Sequence, residues 1–114
     1  MQYDLEERTM KFSKSIIQLA KHCRGNDIVA HIILQLVRAA TSVGANYREA
    51  NGASSKNDFR NKIYICRKEI QEAEYWIVLL VEALPICKQE AMILYKEAHE
   101  LSLIFNKISS TLRN

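Results

Sequence analysis

Six polar side chains recur at helical spacing in the middle of the chain: Arg38, Ser42, Asn46 and Glu49, then Glu69 and Glu72. Carboxylates one turn apart on facing helices can hold a metal ion or a proton. The same groups can instead form ion pairs that fix helix register, because a charge removed from water needs a partner, and the register reading is preferred. A second set is basic. Arg60, Tyr64 and Arg67 follow at four- and three-residue spacing, with Lys56 a turn below and Arg48 across the intervening break. Such a stripe can contact phosphates and offer one ring for stacking, which is the chemistry of RNA or other nucleic-acid binding.

Charge placement supports attention to that stripe. Between Arg48 and Lys68 there are six basic residues against two acidic, whereas the rest of the chain has ten against eleven. The whole net charge of +3 therefore sits around one turn and the helix after it, a candidate anion-binding surface. The plainer account is a solvated helix face.

Signals for catalysis are weak. A di-iron or di-manganese carboxylate bundle needs Glu-x-x-His on two helices, and no glutamate here has a histidine three residues later. His22, His31 and His99 are scattered, and no phosphate-cradling glycine loop, Gly-x-Ser-x-Gly elbow or Cys/His pairing is legible. No catalytic residue, metal or cofactor is expected. Arg24 and His31, separated by six positions, match the permissive Arg-x-His pattern of HEPN-type ribonucleases, although Gly25 replaces the usual polar residue after the arginine. The three cysteines, Cys23, Cys66 and Cys87, are far apart, odd in number and without C-x-x-C spacing, so neither a disulfide framework nor a zinc knuckle is indicated. A cytoplasmic, soluble protein is expected, with no membrane partner, since no apolar run approaches the ~20 residues of a bilayer span.

These side chains must be positioned by helices. One proline and three glycines occur, and all but Gly44 fall at or beside breaks between periodic segments. The periodicity predicts helices over about 4–23, 27–50, 55–83 and 86–112, one domain over 1–114, and an all-α antiparallel up-down-up-down four-helix bundle. Asp4-x-x-Glu7 and Ser55-x-x-Asp58 read as capping boxes. The third segment has the strongest seam, Phe59, Ile63, Cys66, Ile70, Ala73, Ile77, Leu80 and Leu84, and the fourth repeats it after Pro85. The run Ala39–Ala45 strips the second helix of bulk, which predicts tight helix packing there. In a hairpin turning near Gly52, residues whose numbers sum to about 105 lie level, so Arg38 should meet Glu69, and Glu49 should meet Lys56 or Arg60.

Tyr75 to Val81 is apolar or aromatic all round its helix. A monomeric bundle buries one stripe per helix, so the second stripe of Trp76, Leu79 and Ala83 implies burial against another subunit, unless the first helix crosses it.

Gln35-x-x-Arg38-x-x-x-Ser42-x-Gly44-x-Asn46-x-x-Glu49-Ala50, taken with Asp58-Phe59-x-x-Lys62 and Lys68-Glu69-x-x-Glu72-x-x-x-Trp76, resembles the bacterial four-helix bundle proteins called 23S rRNA-intervening sequence proteins. The resemblance covers nearly the whole chain. It implies a left-handed antiparallel bundle, assembly as a homopentamer and a poorly defined biochemical role. The accessory protein of diversity-generating retroelements, a basic pentamer that binds nucleic acid and a reverse transcriptase, is a more distant likeness whose own motifs are not present. The expected function is a non-enzymatic homo-oligomer binding RNA or a nucleoprotein; the alternatives are an interaction module without nucleic acid and a helical ribonuclease.

Overall fold

The computed structural model describes residues 4–113. Four long helices account for it: α1 (Leu5–His22), α2 (Asp27–Asn51), α3 (Lys56–Ala83) and α4 (Lys88–Thr111), with a short 3-10 turn, Pro85–Cys87, before α4. The expected boundaries hold to within one or two residues. Pro85 opens the 3-10 turn rather than the first turn of α4.

Side chains cap the N-termini of α2 and α3; of the two capping residues read from sequence, Ser55 does so and Asp4 does not. Asn26 accepts from the Val29 amide at 3.1 Å, and Ser55 accepts from the Asp58 amide at 3.0 Å, each satisfying a first-turn donor. Asp4 does not cap α1. Its φ of 53° lies in the left-handed region, not in the extended conformation that turns an N-cap side chain back onto the first amides, and the helix opens on the backbone bond from Arg8 N to Asp4 O alone.

Contacts across helices fix the topology. Glu6 at the start of α1 meets Asn51 at the end of α2, Arg38 meets Glu69 across α2 and α3, and Glu74 meets His99 across α3 and α4. His22 at the end of α1 meets Glu90 at the start of α4. Each neighbouring pair therefore runs antiparallel, and the four helices close a cycle in which α1 packs on α2 and α4 and lies diagonally opposite α3. The molecule measures 45 × 23 × 22 Å, close to the ~42 Å that the 28 residues of α3 span.

The core is the predicted set of seams. Phe12, Ile16 and Leu19 face Ile32, Leu36, Ala39 and Val43, and these meet Ile63, Cys66, Ile70, Ala73, Ile77 and Leu80 from α3 with Ala91, Ala98, Leu101 and Phe105 from α4. Tyr47, half-buried, closes one end edge-on to Phe105 with ring centroids 5.9 Å apart. The small-residue run does what its composition predicts: the Ser13 hydroxyl of α1 donates to the Ala40 carbonyl of α2 at 3.2 Å, an approach that a bulky residue at this crossing would block.

Among the described residues one helix, α2, is long and apolar enough by length and composition to cross a membrane, although Arg38 interrupts its apolar run. Here it is a core helix between α1 and α3, yet only 33% of its most apolar window is buried. Ile28 and Leu34 account for part of the excess, being 63% and 65% exposed.

Candidate nucleic-acid interface

α3 carries polar side chains on both of its edges, and the two edges differ. Toward α2, Arg38 forks onto Glu69 at 3.3 and 3.4 Å and onto Glu72, and the Trp76 indole N–H donates to Glu72 at 3.0 Å. Glu69 is nearly buried, with 11% of its side chain exposed, so the guanidinium is what keeps its charge compensated. The Trp76 N–H and then Arg38 hold the Glu72 carboxyl below its ordinary range, while Glu72 and Glu69 raise Arg38. The Arg38–Glu69 pair expected from the hairpin register is present.

The rest of the expected polar network separates into pieces. Asn46 donates to the Ser42 carbonyl of its own helix at 2.8 Å and reaches no carboxylate. Glu49 binds Lys62 at 2.7 Å, not Lys56 or Arg60. The cause is the turn: residues 52–55 lie outside both helices, so the midpoint of the hairpin falls beyond Gly52 and the level positions on α3 shift toward its C-terminus. Among the described residues no three His, Cys, Asp or Glu side chains cluster closely enough to hold a metal ion.

Away from α2, the N-terminal half of α3 carries basic side chains without carboxylate partners among the described residues, while Glu74 further along meets His99 of α4. Lys56 is exposed in the first turn, the Arg67 guanidinium lies 5.7 Å over the Tyr64 ring, and Tyr64 itself is 37% exposed. Arg60 is half-buried. It lines a cleft of about 520 Å³ with Ser54, Ser55, Phe59, Thr111 and Leu112, and its Nε is enclosed without a hydrogen-bond partner. None of Lys56, Arg60 and Arg67 has a carboxylate partner among the described residues.

Arg48 does not join this edge. It lines the α1–α2 groove with Glu6, Thr9 and Met10, whereas Arg60 opens between α3 and α4. Helix phase explains the separation, since the short turn brings Arg48 near the same end of the bundle but α2 presents it toward α1.

Trp76 is half-buried, edge-on to His31 at 6.0 Å and Tyr75 at 5.3 Å, and Leu79 and Ala83 are also half-buried. The first helix does not run across them, because α1 packs along α2 and α4 and lies diagonally opposite α3. Arg24 and His31 do not converge within the chain: Arg24 lines the α1–α2 groove, while His31 packs on Trp76 at the α2–α3 edge.

Two clusters had no sequence signal strong enough to find them. Arg8 of α1 forks onto Glu97 of α4 at 2.8 and 3.0 Å and reaches Glu100 at 3.1 Å, and His99, stacked on Tyr95, meets Glu74 at 3.2 Å. The first joins helices at opposite ends of the sequence, whereas the second spans the consecutive helices α3 and α4, whose connection through residues 84–87 is as short as the α2–α3 turn.

Bundle topology, a compensated polar cluster on one side of α3 and a group of unpaired cations on the other define an all-α four-helix bundle protein. The family model of the 23S rRNA-intervening sequence protein matches residues 1–107, and the chain belongs to that family. It is similar to the crystal structure of a protein of unknown function from the S23 ribosomal protein family of Bacteroides thetaiotaomicron. The two share 30% identity over 91% of this chain and 96% of that one, with a TM-score of 0.81. No curated protein matches.

Proposed function

We propose that this chain is a non-enzymatic, cytoplasmic bundle that self-associates and binds RNA, alone or in a nucleoprotein, through the α3 edge facing α4. The observation that carries the reading is the contrast in charge compensation. Arg8, Arg38 and Lys62 are each held by a carboxylate, whereas Lys56, Arg60 and Arg67 stand without one beside the Tyr64 ring. Phosphates are the natural counter-charge for cations left in this state, and an aromatic under a guanidinium can accept a stacked base. Three cations per protomer give weak affinity alone, so a ring that repeats the edge, the pentamer expected for this family, supplies avidity. Half-buried Trp76, Leu79 and Ala83, uncovered by α1, are the surface assigned to self-association.

Gel-shift titration with a structured RNA tests the reading. Wild type should shift it, and Arg60→Glu combined with Arg67→Glu should abolish the shift with helix content and particle size unchanged. If wild type shifts no RNA or DNA at about 50 mM salt, a condition that favours electrostatic binding, the protein is an interaction module instead.

A further inference from the structure

The fold gathers two of the cysteines that the sequence keeps far apart. Cys23 is the C-cap of α1, in extended backbone, and Cys87 ends the 3-10 turn that leads into α4. The two segments are pinned together by the adjoining contact of His22 with Glu90 at 3.1 Å. Both thiols are free and buried in the same core cluster, at the end of the bundle where α1 finishes and α4 begins, and the Cys87 Sγ faces the Leu84 carbonyl at 3.0 Å. Cys66 is elsewhere, deep in the α2–α3 seam, where its Sγ faces the Val43 carbonyl at 3.5 Å.

We propose that Cys23 and Cys87 are a dithiol modification site that closes to an intramolecular disulfide, tying the N-terminal helix to the C-terminal helix. Neither cysteine sits inside an α-helix, so the local backbone can settle to the narrow geometry a disulfide demands. Cys23 also lines an open groove of about 540 Å³ between α1 and α2, which gives a small oxidant a route to it. The oxidant class is a low-molecular-weight disulfide such as glutathione disulfide. One protein thiol, losing its proton, attacks an oxidant sulfur and expels one glutathione thiolate. The second protein thiol, losing its proton, then attacks the protein sulfur of the mixed disulfide and expels the other. Two S–H bonds and one S–S bond are lost, one protein S–S bond forms, and the two electrons and two protons end on two glutathione molecules. Burial first, and then the contact with Cys87, push the Cys23 thiol up to about 12, so closure is slow and the link acts as a staple rather than a fast sensor.

The test uses the reduced wild-type chain, folded, with glutathione disulfide as the probe, followed by alkylation of remaining thiols in denaturant, mass measurement and digestion. The expected product is a monomer lighter by about 2 Da before alkylation, with only Cys66 alkylated and one peptide pair joining Cys23 to Cys87. Its thermal midpoint should lie ~10 °C or more above that of the reduced chain and return on treatment with dithiothreitol, because the link closes the long loop over residues 24–86. A retained glutathione adduct, a link involving Cys66, intermolecular dimers, or three thiols that stay unreacted until the chain is unfolded each overturn the proposal. Cys87→Ala should abolish the mass loss; persistence of the loss in that variant overturns it as well.

Discussion

The two edges of α3 use similar residue types to opposite ends. On the α2 side, Arg38 is shared between Glu69 and Glu72, and the Trp76 N–H completes the carboxylate, so the charges cancel and the cluster sets register. On the α4 side, Lys56, Arg60 and Arg67 have no carboxylate among the described residues, and the one specific contact is the Arg67 guanidinium on Tyr64. Counting charges along the sequence groups these residues together. What separates them is that Arg38 and Lys62 meet carboxylates across α2 and α3, whereas Lys56, Arg60 and Arg67 gather on one helix beside Tyr64 without one.

The sharpest way to break this contrast is to invert single charges on either side of the basic end. Arg67→Glu should weaken RNA binding by at least tenfold, whereas Arg48→Glu, in the α1–α2 groove, should change it less than threefold. Equal losses at the two positions would show that the edge is not the binding surface and that general positive charge at this end is.

Assembly should respond next. Trp76→Glu places a carboxylate beside Glu72 on the surface assigned to self-association, so sedimentation should give smaller particles with helix content retained. Particles of unchanged size would move the interface elsewhere, and a wild-type chain that is monomeric at high micromolar concentration would remove self-association altogether.

A stability cycle probes the compensated edge. Arg38→Ala leaves Glu69 nearly buried and unpaired, and denaturant melts should show a loss of about 2 kcal/mol, below the ~3–5 kcal/mol of a fully buried pair because Arg38 is half exposed. Replacing Arg38 and Glu69 together with methionines should cost much less than the sum of the single changes. Additive losses would mean the pair does not act as a unit.

The smallest effect is expected at Gly44. A Cβ built there lies 3.5 Å from the Thr9 carbonyl and hydroxyl oxygens and 3.6 Å from Ser13 Oγ, ordinary contact distances. Gly44→Ala should therefore stabilise the helix by up to about 1 kcal/mol, and a net loss would show that α1 packs more tightly against α2 than these distances allow.

Most of the fold was legible because helical periodicity and capping are local: the seam from Ile63 to Leu80 and the Asn26–Asp27 and Ser55 starts are written in adjacent residues. The Arg38–Glu69 pair was legible because a short turn ties the two helices into one register. The exact partner of Glu49 was not, since the four turn residues shift the level positions. Likewise the divergence of Arg48 from Arg60 depends on rotation of α2 against α3, and the Arg8–Glu97 clasp and the meeting of Cys23 with Cys87 depend on how α1 docks against α4 across the whole chain. Spacing along one helix contains neither quantity.

Salt dependence of RNA binding tests the central claim most directly. If the α3 edge engages phosphates through Lys56, Arg60 and Arg67, the logarithm of the wild-type association constant should fall linearly with the logarithm of salt concentration. The slope should be about −2 or steeper, and shallower by about one unit in Arg67→Ala. A slope near zero, or a slope unchanged by Arg67→Ala, would contradict the account.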